Sequence, residues 1–408
     1  MALEGPSVQD SPECEGLSRV LLFCFLVKPP PLSYYRAMSS ENRSEQVSIC
    51  ISNIRDDPKA VAKYAYFVVI IQIMNPRVKV GSGPIPFDAK PIIAIAGPTA
   101  SGKSALAVRV ALAVGGEVVN FDSVQIYKGI QVATAKPSEE EKCGVPHHLI
   151  DYVDPNTDYS AADWVADARR VIVEIETRGR VPVLVGGTGF YLRSLRQPLF
   201  ESPKTDPALR KRLKEIGRSQ GAEYLYRILE KLDPEAAKRF EKRDVPRIIR
   251  AIEVIFATGR RFSQLILQRP AAPDFVRRIR LFVLEPPRED LYRIINQRTE
   301  QHFAAGLVDE VKELIGKGVN QAGSALGAHG YRRVCEYLRG ERDLEATIEK
   351  TKQDVRNYAK RQFTWFRKEN DAIRLGGFGT DERIFEKLIA EMSCSVYQNN
   401  ARIMHLPR

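Results

Sequence analysis

Ile92-Ile93-Ala94-Ile95-Ala96-Gly97-Pro98-Thr99-Ala100-Ser101-Gly102-Lys103-Ser104 is the stretch on which the reading of this chain turns. Its first five residues form a continuous apolar run, as in a strand buried on both faces of a parallel sheet. The next eight fit G-x-x-x-x-G-K-[ST], a phosphate-binding loop or P-loop. Residues 105–114 then read as a helix closed by Gly115-Gly116. Strand, glycine loop and helix in this order give the motif its structural context. The glycines let backbone N–H groups point inward, and the helix start adds positive potential. Lys103 neutralises phosphate charge, and Ser104 is suited to ligate Mg²⁺. Gly97, Pro98, Thr99, Ala100, Ser101, Gly102, Lys103 and Ser104 are therefore the expected cradle of a di- or triphosphate. Such a cradle grips a diphosphate whatever is attached to it, so it leaves the substrate open.

Working outward, residues 117–120 read as a second strand. Ser160 is placed to cap a helix whose apolar residues Trp164, Ala168, Val171, Ile172 and Ile175 recur at helical spacing. Residues 181–185 are the next strand, again followed by glycines. Residues 201–273 are helical and basic without a convincing strand. Residues 279–284 resume the strand pattern, and helices follow at 289–304, 307–317 and 344–368. On the last of these, Ile348, Val355, Tyr358 or Ala359, and Gln362 or Phe363 trace one face. Trp365 and Phe366 are expected to bury there. The predicted fold is α/β: a P-loop parallel-sheet core with a helical insertion domain. The expected division is an N-terminal extension over 1–90, poorly ordered and with later possible starts at Met38 and Met74, then the first part of the core over 91–200. The helical insertion takes 201–275, the second part of the core with C-terminal helices 276–372, and a tail 373–408.

The 408 residues carry a formal charge of +11, which points towards a polyanionic partner. Six scattered cysteines form no C-x-x-C, which argues against a zinc site or redox dithiol and fits a reducing, cytoplasmic setting. The early apolar runs, 20–27 and 64–74, are shorter than the about 20 residues a membrane helix needs. Acidic residues precede the first, unlike a secretory signal. Membrane attachment is not expected. His147 and His148 are adjacent and would face opposite ways in extended chain, so packing or a loop hydrogen bond is expected of them rather than a shared metal.

In a parallel sheet, ligands bind outside the carboxyl ends of the strands. The P-loop follows Ala96, Asp122-Ser123 follow Asn120, and Gly186-Gly187-Thr188 follow Val185, so the three groups should converge on one crevice. There Asp122 has three open roles: general base, metal ligand or turn cap. Thr188 offers a hydroxyl to a leaving oxygen, or is simply a turn residue.

Several motifs in this order resemble the tRNA dimethylallyltransferase family, in its bacterial form. They are Gly97–Ser104, Asp122-Ser123-Val124-Gln125-Ile126-Tyr127, Thr134-Ala135-Lys136-Pro137, His147-His148-Leu149-Ile150-Asp151 and Gly186-Gly187-Thr188-Gly189-Phe190-Tyr191. Arg247-Ile248-Ile249-Arg250-Ala251-Ile252-Glu253 and Tyr358-Ala359-Lys360-Arg361-Gln362 with Thr364-Trp365-Phe366 complete the set. The resemblance covers about residues 91–368 and implies a prenyltransferase. It would hold the diphosphate of dimethylallyl diphosphate in the P-loop with Lys103, Arg298 and Mg²⁺ at Ser104. Asp122 would be the base towards the N6 amine of the adenosine 3′ to the anticodon, and Thr188 the donor to the bridging oxygen. Contacts to the tRNA anticodon stem-loop are implied for Asp122, Ser123, Val124, Gln125, Thr188, Arg210, Pro246, Arg247, Ile248, Ile249 and Arg250. The loop that includes Gly330, Tyr331 and Arg332 is implied as well. Arg356 resembles an arginine that steadies diphosphate or tRNA. A monomer acting in the cytoplasm is expected.

The chain departs from the family pattern at Phe121, Val124, His329 and Val355, none of them a catalytic group. The C-terminal zinc finger of eukaryotic relatives is absent, since Cys394 and His405 have no partners in the sequence. Three other functions compete: an adenylate isopentenyltransferase acting on free nucleotides, a small-molecule kinase, and a non-catalytic RNA-binding protein. The basic insertion, the motifs after the P-loop and the intact Lys103, Ser104, Asp122 and Thr188 weigh against each in turn.

Overall fold

Apolar runs of five or six residues, too short for helices and rich in Ile and Val, form the centre of the molecule. The computed structural model describes residues 91–403 apart from Ser202 and Thr205, with side chains to residue 392. The sequence readings on 1–90, and on Cys394 and His405, lie outside the described residues. Strands β1 (Ile92–Ala96), β2 (Gly116–Asn120), β3 (His147–His148), β4 (Val181–Gly186), β5 (Ile279–Leu284) and β6 (Ile373–Leu375) make one sheet. Its order is β3-β2-β4-β1-β5-β6, and every pairing is parallel. The P-loop strand β1 thus sits inside the sheet, between β4 and β5.

Alternation along the strands sends side chains to both faces. On one face Ile93, Ile95, Val183, Val185 and Phe282 pack under helix α1 (Lys103–Val114). On the other, Ile92, Ala94, Ala96, Leu184 and Leu281 pack with Trp164, Ala168, Ile172 and Ile175 of a later helix. Between them lies one turn, α2 (Glu139–Lys142), and the later helix is α3 (Ala161–Thr177). Ser160 caps α3 as expected, accepting from the Asp163 N–H while the Asp163 carboxylate accepts the Ser160 N–H. Helix α4 (Gly189–Arg196) follows β4 directly.

The described residues of the insertion form helices and connecting loops, with no strand. The helices are α5 (Pro207–Ser219), α6 (Ala222–Leu232), α7 (Pro234–Ala237), α8 (Val245–Thr258) and α9 (Phe262–Ile266). These close on a core of their own around Leu213, Leu225, Leu229, Ile248, Ile249 and Ile252. After β5 come α10 (Arg288–Ala304), α11 (Leu307–Gly316), α12 (His329–Leu338) and α13 (Leu344–Phe366).

Three features differ from the sequence reading. The pair His147–His148 is itself an edge strand, too short to show a periodicity. Residues 373–403, expected as a tail, contribute β6 and α14 (Glu382–Ile403), with Ile384, Leu388 and Ile389 filling the core under α1. The buried face of α13 is more polar than expected: Thr347, Thr351, Lys352, Ala359, Gln362 and Phe366 are buried, while Val355 and Trp365 are only partly so. No described helix is long and apolar enough to cross a membrane.

Candidate active site

Strands β2, β4 and β1 are neighbours, so the loops at their carboxyl ends meet. Beyond β1 the chain turns at Gly97, whose φ of 151° and position 3.0 Å (as an added Cβ) from Leu284 Cβ admit no side chain. Gly102, at φ 80°, then starts α1, whose first turn carries no side-chain cap and no acidic residue. Its free N–H groups and the helix dipole therefore remain available to an anion. The Ser101 hydroxyl is buried in this loop without a hydrogen-bond partner, and among the described residues none bonds the half-buried Ser104 hydroxyl.

Lys103 Nζ donates to the Pro98 carbonyl at 2.6 Å. Burial lowers its pKa to about 8; the Asp122 charge opposes the shift and Arg298 adds to it. Arg298 reaches the same space from α10. Burial lowers its pKa as well, with the Glu141 charge opposing the shift, and it forms no salt bridge among the described residues. Burial also brings His302, one turn on, down to about 4 with Arg298 adding to the shift, so the imidazole is neutral near pH 7. Lys103 and Arg298, two poorly solvated cations with the second close enough to shift the first, suit a polyanionic ligand.

Asp122 is aimed by the residues around it. Asn120 Nδ2 donates to the Leu149 carbonyl at 3.0 Å, and its Oδ1 accepts the Asp122 N–H at 3.2 Å. The Trp164 indole N–H donates to the Asn120 carbonyl at 3.0 Å. Asp122 Oδ1 accepts the Val124 N–H at 2.9 Å, which makes the residue a turn cap. Its Oδ2 has no hydrogen bond among the described residues, so capping leaves one oxygen for a second role. Thr188 precedes α4 without capping it. Its Oγ instead accepts the Ser123 N–H at 3.0 Å and donates to Ser123 Oγ at 3.2 Å. Thr188 and Asp122 thus lie on two sides of one turn. The Tyr358 phenol, from α13, lies beside Thr188 and within reach of the Asp122 charge; burial raises its pKa.

The residues expected to meet tRNA separate by burial. Ser123, Val124 and Gln125 are half-buried at the crevice, and Gln125 Nε2 donates to the Thr134 and Ala135 carbonyls. Ile248 and Ile249 are corrected to core residues of the insertion, because α8 must bury its apolar face. Gly330 and Tyr331 are buried too. They lie within α12 rather than a loop, and the Tyr331 hydroxyl donates to Glu310 at 2.7 Å and accepts the Ala133 N–H. Arg210 makes a two-pronged pair with the buried Glu253, at 2.6 and 2.8 Å, and Arg250 donates to the Pro203 carbonyl. Pro246, Arg247 and Arg332 are exposed, the arginines being paired with Asp244 and Glu336 on their own helix or its cap. Arg356 is hydrogen-bonded to Asn296. His147 and His148 do find separate partners, the Val145 carbonyl and Glu117.

Residue-by-residue reading gave no site role to Asn120, a strand-end amide, or to Gln362, which it quoted only as the last residue of the Tyr358–Gln362 motif. The repeated strand-loop arrangement held the signal for the rest.

The IPP transferase family model matches residues 125–369, and the isopentenyl transferase model matches residues 90–152. The tRNA dimethylallyltransferase of Geobacter sulfurreducens is 46% identical over 278 residues, 68% of this chain and 89% of that protein. The chain belongs to the IPP transferase family. The tRNA dimethylallyltransferase of Thermomicrobium roseum is 44% identical over 280 residues, 68% of this chain and 84% of its own length. Among solved structures, the tRNA isopentenylpyrophosphate transferase of Bacillus halodurans is 35% identical, covering 78% of this chain and 99% of that one, with a TM-score of 0.56. A eukaryotic dimethylallyltransferase acting on tRNA is 26% identical over 78% of this chain and 81% of its own, with a TM-score of 0.60. The IPP transferase fold thus spans the P-loop core and the helical insertion together.

Proposed function

We propose that this IPP transferase moves the dimethylallyl group of dimethylallyl diphosphate to N6 of the adenosine immediately 3′ to the anticodon of a tRNA and releases diphosphate. The observation that carries the reading is the convergence of P-loop, Asp122 and Thr188 at three adjacent strand ends, in a chain with relatives of that activity.

In this reading the loop amides, Lys103 and Arg298 hold the diphosphate. The Ser104 hydroxyl, without a hydrogen bond among the described residues, and the diphosphate oxygens are the hard oxygen donors that suit Mg²⁺, which when bound would offset charge on the diphosphate. N6 attacks the allylic carbon as the carbon–oxygen bond breaks; its proton passes to Asp122 Oδ2, and the electron pair leaves on the diphosphate. The Ser123 N–H fixes one lone pair of the Thr188 oxygen, leaving its O–H free to turn from Ser123 Oγ to the leaving oxygen. The base must leave its stack to enter this crevice, and splayed loop bases are what RNA-reading proteins recognise. Monomeric action in the cytoplasm belongs to the same proposal.

Prenylation of free adenine nucleotides is the second reading, since it uses the same cradle. The basic insertion, with Arg239, Lys242 and Arg243 exposed, favours RNA. Incubation with labelled dimethylallyl diphosphate, Mg²⁺ and either unmodified tRNA or AMP tests the choice. Label on tRNA alone supports the proposal; label on AMP alone transfers the chain to the second reading.

A further inference from the structure

Gln362 lies on α13, far along the chain from both glycine loops, and is 4% exposed. Its Oε1 accepts the Thr99 N–H of the P-loop at 2.8 Å, and its Nε2 donates to the Gly187 carbonyl at 3.0 Å. We propose that Gln362 is a positioning residue: its carboxamide is the strut that sets the distance between the diphosphate cradle and the Thr188 hydroxyl. This rests on the transfer reaction proposed above.

The chemistry of the pair of bonds selects a carboxamide. One loop presents a donor and the other an acceptor, and a carboxamide offers both complements from one planar head. Those partners also fix which atom is Oε1. Space is reserved for it: a Cβ on Gly187 would stand 2.1 Å from Gln362 Nε2. Gly187 is not among the residues with positive φ, so this glycine serves the close approach rather than an unusual backbone. Three residues on, the Trp365 ring lies 2.1 Å from where a Cβ of Gly189 would be. Helix α13 therefore grips the turn around Thr188 at two points while holding the P-loop with the same side chain.

Gln362→Met keeps the volume and removes both hydrogen bonds. In the full chain we expect dimethylallyl diphosphate affinity within about threefold of wild type, but a single-turnover transfer rate to tRNA lower by about 100-fold, the cost of a misplacement near 1 Å. Gln362→Glu retains the acceptor and regains a donor only when protonated, so its rate relative to wild type should rise as the pH is lowered. Gly187→Ala should share the defect, and combining it with Gln362→Ser should cost little more than either change alone. A Gln362→Met rate within about threefold of wild type overturns the strut, as does a loss confined to diphosphate affinity. A wild-type chain that labels no tRNA overturns instead the reaction itself.

Discussion

The Lys103 ammonium donates to the Pro98 carbonyl at 2.6 Å, so the P-loop lysine is folded back on its own loop. Burial has already drawn its pKa down to about 8. An arriving diphosphate supplies negative charge and raises that pKa again. Affinity is therefore complete below about pH 8 and falls as the pH rises from the free value towards that of the complex, with proton uptake in that window. Dimethylallyl diphosphate should bind about tenfold more weakly at pH 9 than at pH 7. Calorimetry in two buffers checks this, and Lys103→Arg should remove the dependence. A wild-type profile as flat as that of the arginine variant would take Lys103 out of the cradle.

Asp122 both caps a turn and offers a free oxygen, and one substitution separates the roles. Asn at 122 keeps an oxygen for the Val124 N–H but cannot accept a proton. Asp122→Asn should lower the single-turnover rate by about 10²–10⁴ while leaving diphosphate binding and melting temperature close to wild type. Wild-type rates in this variant would reduce Asp122 to its turn.

Gly379 N–H donates to the Ser101 carbonyl at 2.8 Å, and a Cβ on Gly379 would stand 2.4 Å from the Gly102 carbonyl oxygen. Gly379→Ala should therefore push on the P-loop from behind, costing about 1–3 kcal/mol in stability and weakening diphosphate binding about tenfold. Thermal unfolding and a diphosphate titration read the two effects. An unchanged affinity would mean that the segment after β6 only covers the sheet.

Arg239 and Arg243 are exposed without an ion pair among the described residues, and Lys242 lies over the Tyr226 ring. Reversing all three to Glu should raise the KM for tRNA at least tenfold and flatten its log–log salt dependence by roughly two units. The rate at saturating tRNA should hold. An unaltered salt slope would mark these side chains as an ordinary solvated face.

The parallel sheet was legible because β1 and β4, buried on both faces, read as apolar runs that each end in a glycine loop. Its edges were not. His147–His148 and Ile373–Leu375 are two and three residues long, below the length at which any period shows, and only pairing to β2 and β5 makes them strands. In the site, Lys103 and Thr188 stand beside glycines whose spacing announces a loop, and Asp122 follows just after the end of β2. Gln362 closes a quoted motif, but its role was not legible there, because the two backbone groups it bonds lie 263 and 175 residues away in sequence. The segments read as tRNA contacts mixed surface with core. Pro246 and Arg247 are exposed, whereas Ile248 and Ile249 turn inward as the helical period of α8 requires.

The most direct measurement locates the transferred group. A tRNA transcript with adenosine 3′ to the anticodon, and one with guanosine there, are incubated with the full chain, labelled dimethylallyl diphosphate and Mg²⁺, then digested to nucleosides. The account predicts label on N6-prenylated adenosine from the first transcript and none from the second. Equal labelling of both, or label in neither while AMP is labelled, would contradict it.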